Sequence, residues 1–403
     1  MSFLRGVVCT ILTASAAVAT AQPADPSGRS SLPAETRWAD ALDPRAAMWS
    51  RLADKLVTIG AYSEALKPAT DLYEFHLGES GPNHHRTVSA RIDLRGIEQL
   101  AALPPDAQRE MARAAQLSLM SQEAQRANRL TQARQSLDEA MSIVETHLGP
   151  DHPQLIAPLT ASASMAMVSG DVKGAGDHFQ RALTIAEKHY GHQHPVYAAA
   201  QTYLASYDLA AGRFTEALER AQEAWAITSR QLGFQHTNSL AALSQLVDAN
   251  QALGRYDEAI MSMARIVAIH QQSVGEPGAA TARAHASLGQ LFSMAGMLTW
   301  AENEFRRVLS IYSSNAMTSG LEQASVLDSL GAVTLSLGRA DEAVEFFKRA
   351  YNLRREVVGE KDASLVVALR RLARAYRQTG ALDEAEIVMQ QAALIARHVY
   401  GLD

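Results

Sequence analysis

Small and apolar residues recur along most of the chain at a fixed interval. A glycine returns every 42 residues, and one step earlier the same phase reaches an asparagine. These positions are Asn128, Gly170, Gly212, Gly254, Gly296, Gly338 and Gly380. Glycine, followed by asparagine, is the residue that most often ends a helix in the left-handed conformation. The pattern therefore predicts a series of tight turns in one repeating unit.

Apolar positions keep this phase on both sides of each turn. Alanine stands five residues after every turn position, from Ala133 to Ala385, and isoleucine or leucine stands fifteen after, from Ile143 to Ile395. Offsets of this spacing share one face of an α-helix. A mostly small column lies seven residues before each turn. Each unit is therefore predicted to be a helix, a tight turn and a second helix whose backbone approaches the first closely.

Two stretches show the whole pattern, SLGAVTLSLGRADEAVEFFKRA at 329–350 and YLASYDLAAGRFTEALERAQEA at 203–224. They resemble the tetratricopeptide repeat (TPR). The 42-residue spacing and the loops LGPDHPQ and YGHQHPV resemble the kinesin light chain class of that repeat. The resemblance extends over about residues 44–401. It implies an all-α fold, a right-handed α-α superhelix of helix-turn-helix repeats.

The first part of the array is less regular. Gly60 is a further turn position, but it precedes Asn128 by 68 residues, which is one repeat and about one extra helix. Residues 86–102 and 106–127 both have helical patterns, and Pro-Pro-Asp separates them. We therefore predict irregular TPR-like helices over 44–148 and a regular TPR array over 149–403.

The N-terminus has a different character. An apolar run of 14 residues follows a single positive charge, with small residues at 19 and 21. This arrangement is typical of a secretory signal peptide cleaved after Ala21, with an uncleaved anchor as the alternative. Residues 22–43 are predicted to be a flexible linker because Pro and Ser are frequent there. We expect a bacterial protein of the periplasm or the extracellular medium, with no transmembrane segment after cleavage.

Composition narrows the function. The hydrophobic fraction of 47% predicts a folded chain, and the net charge of −6 argues against a nucleic-acid partner. The chain has no GxSxG, HExxH or Walker A motif, and its only cysteine, Cys9, lies in the predicted signal peptide. The repeats also leave little chain for a catalytic domain. We therefore predict a non-enzymatic protein without a cofactor.

Histidines raise the question of a metal site. His152, His194 and His236 are one repeat apart, so they form a column of equivalent loop positions rather than a local cluster. This favours a structural role in the loops. A local trio of His189, His192 and His194 is the alternative, although no cysteine or carboxylate completes a usual ligand set.

In TPR proteins, the positions ten, six and three residues before the turn face the concave groove. In the middle repeats of this chain, these positions are mostly small and neutral. The candidate contact residues among them are Ser206, Asp248, Gln251, Gln290 and Asp328. The Lys and Asn residues of the family's carboxylate clamp are not reproduced. The resemblance therefore implies a protein or peptide partner of another kind, and a solvated, unused groove is the alternative.

The last repeat is basic at the same positions. Arg370, Arg374 and Arg377 share one helix face, and Arg371 is adjacent. Because guanidinium groups form paired hydrogen bonds with carboxylates, this face predicts a partner that is acidic at this end of the groove. The alternative is a solvated face or pairing within the fold, for example with Asp328 one repeat earlier.

The C-terminal helix ends the array without a polar capping helix. We expect Val388, Leu394, Ile395, Val399 and Tyr400 to be partly uncovered there. Self-association or a docked partner would cover them, and a tolerated exposed end is the alternative.

Taken as a whole, the sequence predicts a protein-protein interaction scaffold or adaptor of the bacterial envelope. The alternative is a regulatory or sensor subunit whose superhelix responds to a peptide or a small ligand.

Overall fold

The computed structural model describes residues 43–273, 278–314 and 320–401, which form α-helices joined by short loops. The predicted signal peptide, and the predicted linker up to residue 42, lie outside the described residues. The helices are Pro44–Thr58 (α1), Tyr62–Ser80 (α2), His85–Ala101 (α3), Pro105–Arg126 (α4), Leu130–Leu148 (α5), Ile156–Ser169 (α6), Val172–Tyr190 (α7), Pro195–Ala210 (α8), Phe214–Gln231 (α9), Thr237–Ala252 (α10), Tyr256–Ser273 (α11), Ala279–Met294 (α12), Leu298–Ser314 (α13), Gly320–Ser336 (α14), Ala340–Val358 (α15), Ser364–Thr379 (α16) and Leu382–Tyr400 (α17). These ranges contain no β-strand.

The chain divides into two compact units, Met1–Ala249 and Asn250–Asp403. In the first unit, α4 packs against α5, α6 against α7 and α8 against α9. In the second unit, α12 packs against α13, α14 against α15 and α16 against α17. Each pair is a helix-turn-helix repeat, and we call its first member helix A and its second member helix B. The predicted all-α repeat fold is confirmed.

Residues with positive φ also end helices between the predicted turn positions. Besides the turn residues found in the sequence, Gly149, Gly191, Gly233 and Gly359 have positive φ, and each lies midway between two turn positions. The two sets differ in ψ. Gly170 and Gly380 end an A helix in the αL region with ψ of 5° and 1°. Gly149 and Gly191 end a B helix with ψ of 164°, a region open almost solely to glycine.

This difference explains why the single described non-glycine residue with positive φ is Asn128, at the end of an A helix. Asparagine tolerates the αL region but not the extended, left-handed conformation of the B-helix ends. Neither Gly170 nor Gly191 has an atom within 4 Å of an added Cβ. Gly170 and Gly191 therefore differ in backbone conformation and not in the space available for a side chain.

We expect Gly170→Asn and Gly191→Asn to differ in their cost. The first should lower the free energy of unfolding by less than about 1 kcal/mol, and the second by about 1–3 kcal/mol. Urea unfolding followed by far-UV circular dichroism measures both. Equal costs at the two sites would contradict this account, because free space is the same at both.

Pairs of glycine and phenylalanine hold the A and B helices of the second unit together. Phe305 and Phe347 are fully buried, and each ring covers the glycine of its partner helix, Gly289 or Gly331. A Cβ at Gly331 would lie 2.9 Å from Cε1 of Phe347, and the same distance applies to Gly289 and Phe305. The small column before each turn therefore leaves space for a large side chain after the turn.

The extra helix of the irregular N-terminal part is α3. It packs along α2 and also contacts α7, while α1 contacts α4. Gln108 of α4 donates from Nε2 to the carbonyl oxygens of Ala101 and Leu103, both at 3.0 Å, which satisfies the end of α3. The Tyr62 hydroxyl donates to the Gln108 carbonyl oxygen at 3.4 Å. These bonds join the first hairpin to the repeat formed by α4 and α5.

The histidine column has a capping role. Nδ1 of His152, His194 and His236 accepts the backbone N–H two residues later, at 3.3, 3.1 and 3.1 Å. Asp362 occupies the equivalent loop position before α16, and its Oδ1 accepts the Ser364 N–H at 2.8 Å. Between His236 and Asp362 the column holds Gly278 and Gly320, and Gly278 caps its helix without a side-chain hydrogen bond. The side-chain acceptor is therefore present at the histidines and at Asp362 but not along the whole column.

The other ring nitrogens of two loop histidines bind α3. Nε2 of His152 donates to Oε1 of Gln99 at 3.0 Å, and Nε2 of His194 donates to the His85 carbonyl oxygen at 3.1 Å. In each neutral ring, both nitrogens therefore take part in a hydrogen bond. Burial lowers the pKa of His152 and of His194 to about 4.

The alternative histidine trio does not converge. Nε2 of His189 bonds the Asp151 carbonyl oxygen at 2.9 Å, His192 pairs with Glu187 at 3.2 Å, and His194 binds α3. Within the described ranges, no three His, Cys, Asp or Glu side chains gather in a way that would hold a metal ion.

Candidate partner-binding surfaces

One face of α16 carries a row of arginines. Its opposite face buries leucines and alanines from Leu365 to Ala375 against the neighbouring helices. Arg370, Arg374 and Arg377 are exposed, and none of their guanidinium groups makes a hydrogen bond or an ion pair with any described residue. We call these three residues the arginine row. The exposed Val367 lies one turn before Arg370 on the same face.

The fourth arginine has a partner inside the fold. Oδ2 of Asp328 lies 2.9 Å from Nη1 of Arg371 and accepts a hydrogen bond from Nη2 of Arg354 at 2.8 Å. Asp328 is buried on α14, so its carboxylate joins this helix to α15 and α16 and is not available at a surface. The expected compensation of the basic helix by Asp328 thus applies to Arg371 and does not extend to the arginine row.

The other candidate contact residues lie on separate helices. Ser206 on α8 is half-buried and donates to the Thr202 carbonyl oxygen at 3.3 Å. Gln251 at the end of α10 is half-buried, and Gln290 on α12 is exposed. Asp248 on α10 is half-buried, and its carboxylate has no hydrogen-bond partner among the described residues. Burial raises its pKa to about 6. Ser206 and Asp248 belong to the first unit, and Gln251 and Gln290 to the second unit.

The first unit contains a cavity of about 260 Å³ between α4, α5 and α6, with contributions from α1 to α3. Its inner wall is apolar and includes Val57, Leu100, Leu137 and Val144. Its polar groups are the side chains of Ser118, Ser121, Gln122, Gln125 and Gln154 and the Tyr62 hydroxyl. No Asp, Glu, Lys, Arg or His side chain lines this cavity.

The sequence analysis does not include this site among its candidates, although the repeat pattern covers three of its polar residues. Ser118, Gln122 and Gln125 lie ten, six and three residues before Asn128, which are the groove positions of the repeat formed by α4 and α5. Extending the column backward would have selected them. The space itself depends on how α3 and α6 pack, and periodicity does not predict it.

The C-terminal helix is only partly uncovered. Leu394 and Val399 are exposed, and Val388 is half-buried. The Tyr400 side chain is not among those that the structure describes. The expectation for Ile395 was wrong, because this side chain is buried against α16.

Thirteen residues after each turn, the inner repeats place a large apolar side chain, and the last repeat places Ala393. The inner residues are Met141, Leu183, Trp225, Val267, Leu309 and Tyr351.

The family models agree with this architecture. Tetratricopeptide repeat models match residues 157–229, 238–314 and 322–397, and a second tetratricopeptide repeat model matches 113–154. Together they extend over more than half of the chain, so the chain belongs to the TPR family. Repeats of this family form protein-interaction scaffolds, which are generally not catalytic.

Solved structures share the fold at low identity. Apo RapI matches with a TM-score of 0.52 at 13% identity, over 72% of this chain and 99% of that chain. Aspartyl phosphate phosphatase F from Bacillus subtilis matches with a TM-score of 0.51 at 11% identity, over 91% of this chain and 95% of that chain. TPR-like repeats described as a kinesin light chain from Podosopora anserina are 23% identical, with a TM-score of 0.46, over 51% and 98%.

Curated protein sequences gave no match to the chain. None of the helices in the described ranges combines the length and the apolar character needed to cross a membrane.

Proposed function

We propose that this TPR protein is a non-catalytic scaffold or adaptor of the bacterial envelope that binds an acidic segment of a protein partner on the A-helix face of its last repeat. The family supports the scaffold role, and the signal-peptide pattern supports the location. The observation that carries the proposal is the arginine row, three exposed guanidinium groups without partners on one helix face.

Electrostatics favours an acidic partner for this row. Like charges at i and i+4 on a helix repel each other by a few tenths of a kcal/mol. Arg371 on the same helix is compensated by Asp328, whereas the arginine row is not. Carboxylates of a partner would relieve this repulsion and form paired hydrogen bonds with the guanidinium forks. The exposed Val367 adds an apolar contact at the start of the row.

We expect the triple variant Arg370→Glu, Arg374→Glu, Arg377→Glu to lose its partner. The test is affinity capture from an envelope extract, quantified by mass spectrometry, with the unchanged chain in parallel. The matched control is Arg307→Glu, Arg349→Glu, Arg397→Glu, which reverses the same charge at exposed B-helix positions of the second unit. A protein recovered by the control and by the unchanged chain, but at least tenfold less by the triple variant, is the expected result.

Equal recovery with both variants would contradict the arginine row as the contact surface. Far-UV circular dichroism checks that each variant retains its helices. If the protein fractionates with the cytoplasm and retains residues 1–21, the envelope location is contradicted while the contact surface stays testable in that extract.

A further inference from the structure

Small residues create the cavity of the first unit. Ala114 and Ala115 on α4 and Ala157 and Ala161 on α6 face the same space, and Ala140 on α5 forms part of its floor. In the later repeats, the position of Ala161, nine residues before the turn, holds Tyr203, Gln245, Ser287, Ser329 and Arg371. The alanines therefore leave this space open between the helices of the first unit.

The volume fits one large apolar side chain. A cavity of about 150 Å³ lined by apolar residues holds a benzene ring. The 260 Å³ cavity therefore has room for a phenylalanine or leucine side chain together with part of the attached backbone. Its inner wall of Val57, Leu100, Leu137 and Val144 suits such a group.

The polar groups of the cavity match the backbone of a peptide. Gln122 and Gln154 make no side-chain hydrogen bond with the described residues, and each amide presents one acceptor and two donor hydrogens. Nε2 of Gln125 makes a long bond of 3.4 Å to Oγ of Ser121, which leaves its oxygen free. Ser118 donates to the Ala114 carbonyl oxygen at 3.0 Å, so its own oxygen remains an acceptor.

The charge of the lining excludes an ionic occupant. The single titratable side chain in the lining is Tyr62, and burial raises its pKa to about 12, so it is neutral. A charged ligand group would lose its hydration here without gaining a counter-ion, which is strongly unfavourable. This chemistry differs from that of the arginine row, whose expected partner is acidic.

We infer that the cavity binds a large apolar side chain, phenylalanine or leucine, from an uncharged peptide segment, and that Gln122, Gln125 and Gln154 hold the adjacent peptide groups. This inference extends the proposed function, since it assumes that the protein binds peptide segments. It assigns a second contact site with its own ligand chemistry, in the first unit.

The test uses the tripeptide acetyl-Ala-Phe-Ala-amide and the full mature chain with ¹³C-methyl methionine. Met111 lines the cavity and is buried, whereas Met261 on α11 is exposed and serves as an internal reference. We expect a saturable shift of the Met111 methyl resonance, with a dissociation constant in the millimolar range or below. Acetyl-Ala-Glu-Ala-amide should produce no saturable shift.

Two variants link the shift to the cavity. Ala157→Leu should abolish binding by filling the space, while Ala268→Leu at an exposed position of α11 should leave it unchanged. Gln122→Ala changes an exposed side chain that does not support the fold. It should weaken binding about threefold to tenfold through the lost hydrogen bonds. The Gln122→Ala variant keeps the test valid if Ala157→Leu does not fold.

No saturable shift of Met111, or equal binding by the Glu tripeptide, would overturn the inference. Unchanged affinity in Gln122→Ala would overturn the role of the amides. The arginine row is tested by partner capture and the cavity by the tripeptide, so a failure of one is distinguishable from a failure of the other.

Discussion

Replacing Phe347 with alanine is expected to lower the free energy of unfolding of the second unit by about 3–5 kcal/mol. The ring is almost fully buried, packs against Gly331 on α14, and contacts the core formed with Leu372 and Ala375 of α16. Its removal leaves a cavity between two helices of one repeat and beside the next repeat. Urea unfolding monitored by circular dichroism measures the loss.

The glycine partner gives this prediction a sharper form. Gly331→Ala adds a methyl group 2.9 Å from the ring, which should cost about 1–3 kcal/mol. The double variant Gly331→Ala, Phe347→Leu should cost less than the sum of its two single variants, because the smaller side chain makes room for the methyl group. Leu394→Ala, at an exposed position, is the control and should change stability by less than about 0.5 kcal/mol. Additive costs in the double variant would contradict direct packing of ring and glycine.

The first unit should lose stability as the pH falls from 6.5 to about 4. His152 and His194 are buried and accept a backbone N–H at Nδ1, so protonation breaks the cap and places a positive charge at a helix N-terminus. Their folded pKa of about 4 lies below the unfolded value of 6.5, so the unfolded chain binds more protons in this window. The stabilisation is complete above pH 6.5, and about 2–3 kcal/mol per histidine is lost by pH 4.

Asparagine at position 194 separates the cap from the titration. We expect His194→Asn to have lower stability at pH 7, because the bond from Nε2 to the His85 carbonyl oxygen is lost. Its difference in unfolding free energy between pH 7 and pH 4.5 should be about 2 kcal/mol smaller than in the unchanged chain. The control is His192→Asn in the same loop, where the ring is exposed and pairs with Glu187. If both variants keep the full pH dependence, His194 is not its source.

The sequence was sufficient to predict the regular helix-turn-helix repeats but not the packing of the irregular N-terminal helices. The turn positions and the alanine column predict helix A, turn and helix B because these constraints are local and repeat in phase. The half-period glycines, such as Gly191, were visible in the sequence, but only their ψ shows that they differ from the turn set. The docking of α3 depends on hydrogen bonds from His152 and His194 to Gln99 and His85, which are 53 and 109 residues away. The two histidines follow the repeat, but their partners on α3 do not.

The arginine row and the cavity also differ in how far the sequence predicts them. The arginine row is a property of one helix face, so the spacing of its residues predicts it. The pairing of Arg371 with Asp328 joins two repeats, and the residue pattern is equally compatible with a solvated face and with pairing inside the fold. The cavity requires the positions of several helices at once. Its amides were at predictable groove positions, yet the volume they surround follows from packing.

The small residue Ala393 has a consequence for building longer forms of this protein. A copy of the last hairpin attached after residue 401 would meet a surface that lacks the large side chain which every inner repeat offers to its successor. A duplicated unit of 42 residues inserted before α16 would instead find a tyrosine at 351 on one side and keep the existing end on the other. The surface around Tyr351 is therefore better suited to receive a further repeat than the surface around Ala393.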